Sequence, residues 1–326
     1  MVARIVVLVL LYFTLTAAAE PPRPIVIAHR GASGHRPEHT LEAYRLAVEM
    51  GADFIEPDLV STRDGVLIAR HENDIGATTD VGERFPARKR SKNIDGQPVS
   101  GWFTEDFSLA EIKTLRARER LALRSHAYDG QFQIPTFDEV IALAQQLGAA
   151  RGRPVGIYPE TKHPTYFRSL QLPLEEPLLA SLRKHGWNSR QAPVFIQSFE
   201  QGNLRELRKK TEVRLVQLVS TPAMIAGDGL KAIAAYADGV GPEKRLIVPI
   251  KDDGSLSTPT DLVARAHAAG LFVHVWTVRI DKPFLPAGYQ GRGEAEFEQL
   301  RSLGVDGVFT DFPDVAVKVF GPVPAR

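Results

Sequence analysis

Cysteine is absent from the 326-residue sequence, which excludes disulfides, thiolate zinc sites, iron–sulfur clusters and a cysteine nucleophile. The chain also lacks an excess of charge of either sign, because 40 Lys and Arg side chains face 39 Asp and Glu side chains. A protein that mainly binds nucleic acid would carry a basic excess, so we expect no nucleic-acid partner. Hydrophobic residues make up 44% of the sequence, which supplies a sizeable core and excludes a disordered chain.

The N-terminus has the pattern of a secretory signal peptide. Arg4 precedes an apolar run at residues 5–15, and small residues lead to a cleavage position after Ala19. A membrane anchor is the alternative, but the run is shorter than the roughly 20 residues that a spanning helix needs. We therefore predict that residues 1–19 are a signal peptide, that the protein is exported, and that it has no stable membrane anchor.

Short β-rich runs alternate with helical patterns along the rest of the chain. The predicted strands are residues 25–28, 54–60, 66–69, 155–158, 194–196, 215–218, 238–241, 272–276 and 307–309. The helical patterns between them include residues 40–50, 175–185, 204–210, 261–269 and 294–303. Such alternation indicates a parallel α/β sheet, and the number of strands fits a (β/α)8 TIM barrel. An open doubly wound sheet is the alternative, but no Gly-x-Gly-x-x-Gly motif opens the first helix.

One long stretch interrupts the alternation. Residues 72–135 contain one helical pattern, at 109–120, and a run with five cations and no acid at 84–92. We interpret residues 20–326 as a single barrel domain in which residues 72–135 form an inserted cap. The basic run is either a solvated loop or a surface that steers anionic substrates or contacts membrane headgroups.

Four histidines fall in the first part of the predicted barrel. His29 and His71 follow predicted strands, and polar residues at the carboxyl ends of barrel strands face the active site. We therefore take these two as candidates for proton transfer. His35 and His39 lie in a loop and at a helix start, and we interpret them as packed or surface residues.

Three acidic residues point to a metal site. Glu56 and Asp58 are two residues apart on one strand, so their side chains point to the same side, and Glu160 ends another strand. Inward carboxylates repel each other unless a cation neutralises them, and oxygen ligands suit calcium, magnesium or manganese. The sequence thus predicts a site for one divalent cation. Lys162 shares the side of Glu160 and meets either a carboxylate or a substrate phosphate.

Short segments spread over nearly the whole chain resemble the signature of the glycerophosphodiester phosphodiesterase family. They are IAHRGASG (27–34), PEHTL (37–41), GADFIEPDL (51–59), TRDG (62–65) leading to His71, PETK (159–162), QSF (197–199), LVQL (215–218), YADGVGP (236–242), WTVR (276–279) and FTDFPD (309–314). The segment RFP (84–86) resembles part of an insertion carried by the periplasmic, calcium-dependent branch of that family.

The resemblance implies hydrolysis of glycerophosphodiesters, which are deacylated phospholipids, to sn-glycerol 3-phosphate and an alcohol in the periplasm. It implies calcium, or else magnesium, as the cation. Carried over position by position, the roles are His29 and His71 as general acid and base, Glu56, Asp58 and Glu160 as metal ligands, and Arg30 and Lys162 as cations beside the phosphate. Glu72 departs from the family, in which an aspartate commonly follows the second histidine, and this puts the local geometry in doubt.

Other points stay open from the sequence. Phe199 and Trp276, at predicted strand ends, pack either against the bound substrate or against the barrel rim. The nucleophile is either water or the neighbouring glycerol hydroxyl, and no pattern specifies an oligomeric state. A non-catalytic binder of the same small molecule is a second possible function, although a binder needs no pair of histidines. A related barrel phospholipase that acts on intact lipids is a third, although it needs an apolar docking surface.

Overall fold

The computed structural model of the chain describes residues 23–322. The predicted signal peptide, residues 1–19, lies outside this described part, so its cleavage and export stay predictions. Among the described helices, none combines the length and the apolar character that crossing a membrane requires.

Parallel strands close into a barrel. The strands, numbered in chain order, are β1 (Ile25–His29), β2 (Phe54–Glu56), β3 (Asp58–Ser61), β4 (Leu67–Ala69), β5 (Arg90–Ile94), β6 (Gln97–Gly101), β7 (Gly156–Ile157), β8 (Glu160–Thr161), β9 (Phe195–Ser198), β10 (Arg214–Val219), β11 (Gly239–Pro242), β12 (Phe272–Val278) and β13 (Gly307–Thr310). Pro57 separates β2 from β3, and Tyr158 and Pro159 separate β7 from β8. Each of these pairs is one barrel strand with an interruption, because proline has no N–H to donate to the neighbouring strand.

The ladder of strand pairs forms a complete ring. It runs from β1 through β2/β3, β7/β8, β9, β10, β11, β12 and β13, and β13 pairs in parallel with β1 again. A bridge between Ile157 and Val194 adds a second link at the join of β7/β8 and β9. Eight parallel barrel strands in chain order confirm the predicted (β/α)8 barrel over the open doubly wound sheet.

Helices lie in the connections between the strands and cover the outside of the barrel. They are α1 (Leu41–Glu49), α2 (Val81–Arg84), α3 (Leu109–Ile112), α4 (Phe137–Ala150), α5 (Pro164–Ser169), α6 (Glu175–Lys184), α7 (Gln201–Arg208), α8 (Gly229–Ala234), α9 (Leu262–Ala268), α10 (Gly293–Ser302) and α11 (Pro313–Phe320). Thr40 starts α1, since its side chain accepts a hydrogen bond from the Ala43 N–H. Thr136 and Glu139 form a capping box at the start of α4.

Large side chains fill the interior of the barrel. The inner cluster contains Ile27, Tyr158, Phe195, Val216 and Phe309, each at most 5% exposed. A much larger apolar layer lies between the strands and the helices. Because the interior is packed, the space for a ligand lies at the rim.

The predicted strand at 66–69 is not one of the eight barrel strands. It forms β4, which pairs antiparallel with β3 through a tight turn in which Gly65 has φ +78°. A parallel neighbour would need a connection of about a dozen residues or more, and the chain has far fewer between these strands. β4 instead returns to the rim, where the Arg70 N–H donates to the Asp58 carbonyl, and this brings His71 beside the acidic residues.

Residues 72–135, here called the connecting segment, link β4 to α4. Their most regular part is the hairpin of β5 and β6, whose turn residues Asp95 and Gly96 have φ values of +50° and +82°. The predicted helix at 109–120 is too long, because it ends at Ile112 and the backbone N–H groups of Arg116 and Arg118 then donate to residues 78–80. The assignment of residues 20–326 to one domain with an inserted cap stays a prediction.

Candidate active site

The predicted site residues meet at the carboxyl ends of the barrel strands. His29 is the last residue of β1, Glu56 is the last residue of β2, and Glu160 begins β8. A cavity of about 210 Å³ opens among them, and its lining includes eight of the nine predicted side chains: His29, Arg30, Glu56, His71, Glu160, Lys162, Phe199 and Trp276. The ninth, Asp58, does not line the cavity, but its carboxylate lies next to those of Glu56 and Glu160. The structure therefore brings all nine residues to one place.

Three buried carboxylates form an acidic cluster. One oxygen from each of Glu56, Asp58 and Glu160 lies within 4.8 Å of the other two. Within the described chain, the Asp58 Oδ1 atom is buried and has no hydrogen-bond partner. A divalent cation would supply the partner that this oxygen lacks, so the donor set fits a hard metal ion.

The protonation of the cluster reflects its excess negative charge. Burial and the neighbouring Asp58 carboxylate raise the pKa of Glu56 well above its usual range. Burial and Asp58 also raise the pKa of Glu160 to about 8, although Lys162 opposes the shift. Burial acts against ionisation of Asp58 as well, but Lys162 and a hydrogen bond from His39 hold the pKa of Asp58 well below its usual range. The protein alone therefore cannot keep all three groups charged at neutral pH.

Neighbouring side chains fix the orientation of the cluster. Glu56 accepts hydrogen bonds from the Arg30 N–H at 2.8 Å and from Gln197 Nε2 at 3.1 Å. Asp58 Oδ2 lies 2.9 Å from His39 Nε2, and the other ring nitrogen of His39 lies 2.8 Å from the Tyr44 hydroxyl. These contacts leave the carboxylates little freedom to rotate.

His29 is held by the end of the last barrel strand. Its Nδ1 lies 2.6 Å from Asp311 Oδ1, and the imidazole is buried. Burial and the Arg30 charge lower the pKa of His29 to about 3, so the ring is neutral at pH 7. A neutral ring that donates from Nδ1 to a carboxylate keeps Nε2 unprotonated and able to accept a proton.

His71 has a similar arrangement, in which a carboxylate again contacts Nδ1. Glu72 Oε1 lies 2.9 Å from His71 Nδ1, and Lys162 Nζ lies 3.4 Å from His71 Nε2. Burial, Arg30 and Lys162 lower the pKa of His71 to about 4. Two histidines with unprotonated Nε2 atoms thus line the same cavity.

Two cations stand beside the histidines. Arg30 is buried, with φ +60°, and its guanidinium contacts Glu38 Oε2 at 3.0 Å and Asp58 Oδ2 at 3.4 Å. Gly31 follows in the same turn, where a Cβ atom would come 2.7 Å from the backbone of Ala43. Lys162 Nζ lies 3.0 Å from Glu160 Oε1. Of the two partners that the sequence left open for Lys162, a carboxylate or a substrate phosphate, the structure shows the carboxylate.

Two aromatic rings form another part of the lining. Phe199 and Trp276 pack edge to face, with ring centroids 5.5 Å apart. The Trp276 indole donates to the Gly241 carbonyl at 2.7 Å, and Phe199 is 39% exposed. Both rings therefore pack against each other and face the cavity.

Several supporting residues were missed by the sequence analysis. His39 was interpreted as a packed or surface residue, and it is indeed fully buried, but it also contacts a predicted metal ligand. Gln197 and Asp311 lie in segments that carry the family resemblance, and that was the available signal for them. Glu38, which contacts Arg30, also lies in such a segment, whereas Arg124, which contacts Asp311 at 2.6 Å, had no such signal.

Cations of the basic run at 84–92 form ion pairs within the protein. Arg88 contacts Glu111 at 2.7 Å, and Lys92 contacts Glu105 and Asp106 at 2.7 and 2.9 Å. These contacts tie the hairpin to the rest of the connecting segment and leave fewer cations for steering substrates than the sequence count suggests.

The sequence matches known proteins over most of its length. Residues 29–315 match the sequence profile of the Glycerophosphoryl diester phosphodiesterase family. A glycerophosphodiester phosphodiesterase from Arabidopsis thaliana is 40% identical over 318 residues, which cover 89% of this chain and 84% of the plant protein. One from Haemophilus influenzae is 31% identical over 334 residues, which cover 90% of this chain and 89% of that protein.

A solved structure has the same fold. It is a phosphodiesterase from Oleispira antarctica in complex with the product sn-glycerol-3-phosphate, and it matches with a TM-score of 0.67 at 23% identity. The match covers 91% of this chain and 96% of the other.

Proposed function

The chain belongs to the glycerophosphoryl diester phosphodiesterase family, and on that premise we propose that it hydrolyses glycerophosphodiesters to sn-glycerol 3-phosphate and an alcohol. The observation that carries the proposal is the pair of histidines in one cavity with Arg30, Lys162 and three carboxylates. A protein that only binds the diester has no need of two proton-transfer groups whose Nδ1 atoms are each held by a carboxylate.

Arg30 and Lys162 bind the substrate phosphate in this proposal. A phosphodiester resists attack because its negative charge repels nucleophiles, and two cations beside the phosphoryl oxygens reduce that repulsion. Burial and nearby positive charge lower the pKa values of His29 and His71, and the bound anion offsets that positive charge, so that one ring can hold a proton. Phe199 and Trp276 pack against the glycerol or the departing alcohol.

The two histidines move protons at opposite ends of the scissile bond. One Nε2 removes a proton from the nucleophile, and the other Nε2 donates a proton to the departing oxygen, so the leaving group departs as a neutral alcohol. The pair must therefore hold opposite protonation states during the reaction, and the rate depends on pH as a bell-shaped curve.

Glu56, Asp58 and Glu160 hold one divalent cation in this proposal, and calcium is the ion that we propose. The support is an all-oxygen set of buried carboxylates with an unpaired oxygen, which suits a hard ion. When bound, the ion supplies positive charge against the phosphoryl oxygens. Gln197 and His39 keep two of the ligands in position through their hydrogen bonds.

We also propose that the protein is exported to the periplasm. The support is the apolar run at residues 5–15 and the small residues before position 20. N-terminal sequencing of protein from the cell envelope should give Glu20 as the first residue, and an N-terminus at Met1 would contradict export by this signal.

Turnover of a defined diester tests the proposed function. Purified protein with calcium should release sn-glycerol 3-phosphate from glycerophosphocholine, and His29→Asn or His71→Asn should lower kcat by about 10²–10⁴-fold. His267→Asn is the matched control, because His267 pairs with Asp306 at the opposite end of the barrel.

Two outcomes would contradict the proposal. Binding of the diester without turnover would indicate a non-catalytic binder. Equal turnover of intact phosphatidylcholine would indicate a phospholipase. Among the described residues, the exposed large apolar side chains are Leu123, Leu170 and Phe199.

A further inference from the structure

A chain of hydrogen-bonded side chains joins His71 to the tip of the β5–β6 hairpin. Glu72 accepts from His71 Nδ1 through Oε1 and contacts His163 Nε2 through Oε2, both at 2.9 Å. His163 Nδ1 then lies 2.5 Å from Asp95 Oδ2. We propose that Asp95 and His163 are positioning residues that orient His71 through Glu72, an inference that rests on the proposed function of His71.

The hairpin presents Asp95 at a fixed place. Asp95 and Gly96 both have positive φ, as the two central residues of a type I′ turn do, and aspartate tolerates this conformation better than most residues. The strands below the turn are anchored, because Ile94 is buried and Lys92 pairs with two carboxylates. The connecting segment, and not the barrel, therefore fixes the backbone position of Asp95.

His163 is also fixed by its backbone. It has φ +47° and ψ +45°, and Pro164 follows it as the first residue of α5. A residue other than glycine keeps a left-handed conformation when its surroundings hold it there, and here both ring nitrogens have carboxylate partners. The imidazole thus bridges the two carboxylates without lining the cavity.

The length of Glu72 explains why the bridge exists. Both of its carboxylate oxygens are in use, one for each imidazole. An aspartate is shorter by one methylene, so on the same backbone its carboxylate would lie further from both rings. The departure that put the local geometry in doubt is therefore the feature that connects His71 to the hairpin.

The chemical consequence falls on the proton of His71. A carboxylate at Nδ1 keeps the proton on that nitrogen and leaves Nε2 as the atom that exchanges a proton in the cavity. If His163 or Asp95 is lost, Glu72 gains rotational freedom, since it is about half exposed, and it holds the ring less well.

Conservative variants test the proposal. His163→Asn and Asp95→Asn keep a residue that tolerates positive φ but break the chain, and His267→Asn is the matched control. We expect kcat with glycerophosphocholine to fall by about threefold to tenfold in both variants while KM stays within about twofold. The double variant should be no slower than the slower single variant, because both changes break the same chain.

Histidine ¹⁵N NMR gives a readout that does not depend on turnover. The His71 ring should be the Nδ1–H tautomer in the wild-type protein and should show a larger Nε2–H fraction in His163→Asn and Asp95→Asn. Unchanged kcat and an unchanged tautomer in both variants would overturn the proposal, as would independent, multiplicative losses in the double variant. A tautomer shift in a protein that does not hydrolyse the diester would support the positioning role and contradict the proposed function.

Discussion

Replacing Asp311 with asparagine should change the protonated nitrogen of His29 and leave the other residues of the site in place. The Asp311 carboxylate is buried and has three charged or polar partners, His29 Nδ1 at 2.6 Å, Arg124 Nη2 at 2.6 Å and Arg279 Nε at 2.7 Å. Burial opposes its ionisation, but His29 and the two arginines hold the pKa of Asp311 well below its usual range. The carboxylate is therefore charged at all pH values at which the enzyme would work.

An asparagine at this position has only one oxygen for these partners. The two guanidinium groups can only donate hydrogen bonds, so the asparagine oxygen should face them. The amide NH2 then faces His29. Nδ1 of His29 must then accept a hydrogen bond, and the proton moves to Nε2. The nitrogen that faces the reaction in our proposal then carries a proton and can no longer remove one.

The size of the effect follows from these contacts. Loss of a correctly placed base costs about 10²–10⁴-fold in kcat, and KM should change little because Asp311 does not line the cavity. Breaking one partner of a buried charge cluster also destabilises a protein by about 3–5 kcal/mol. Arg124→Gln is the matched comparison, since it removes a charge from the same carboxylate but leaves the Asp311–His29 hydrogen bond in place.

The assay measures sn-glycerol 3-phosphate release and urea unfolding for the wild-type protein and both variants. We expect both variants to lose stability and Asp311→Asn alone to lose most of its kcat. A folded Asp311→Asn variant with wild-type kcat would refute the assignment of His29 as a proton-transfer group that Asp311 orients. Equal losses of kcat in the two variants would show that the effect comes from stability and not from the tautomer.

Two further predictions concern the metal and the core. Chelation should abolish turnover. In thermal unfolding, calcium at about a hundredfold its Kd should stabilise the wild-type protein by about 2.7 kcal/mol but should not stabilise the Glu160→Gln variant. Glu206→Gln, which changes an exposed glutamate, is the control. Full turnover after exhaustive chelation would contradict the metal site. Burial and Arg214 lower the pKa of His274 from 6.5 to about 3, so its contribution to stability is present above pH 6.5 and declines as the pH falls towards 3. His29 and His71 also have lowered pKa values and contribute a loss of stability over the same range in every variant. Urea unfolding should therefore show a loss of stability between pH 7 and pH 5 that is about 2 kcal/mol smaller in His274→Gln than in the wild-type protein, and an equal loss in both proteins would contradict this.

The sequence predicted the barrel and the nine site residues because both depend on short-range patterns. Strand and helix periodicity gave the alternation, and the two-residue spacing of Glu56 and Asp58 gave their common direction. Periodicity carries no information on strand direction, so β4 was counted with the barrel although it runs antiparallel. The Asp95–Gly96 pair was a usable hairpin signal that was overlooked, since the flanking strands are polar and do not alternate clearly.

The supporting contacts could not be predicted because they join distant parts of the chain. His29 and Asp311 are 282 residues apart, and Arg124 is 187 residues from the same carboxylate. A charged residue in a polar loop has the same sequence signal whether it is solvated or buried against a distant partner. Arg124 could therefore be recognised only from the fold, and so could the contact of His39 with Asp58.

The connecting segment reaches the site at three separate points. Two of its arginines contact carboxylates that hold site residues, and its hairpin contacts a histidine. Arg120 contacts Glu38, which holds Arg30, and Arg124 contacts Asp311, which holds His29. The hairpin contacts His163, which leads through Glu72 to His71. Because the partners are charged groups at the rim, we expect the order of the histidines and of Arg30 to depend on the order of the connecting segment. A near-neutral chain thus gathers charged groups around one cavity, and residues 72–135 contact the residues that hold them.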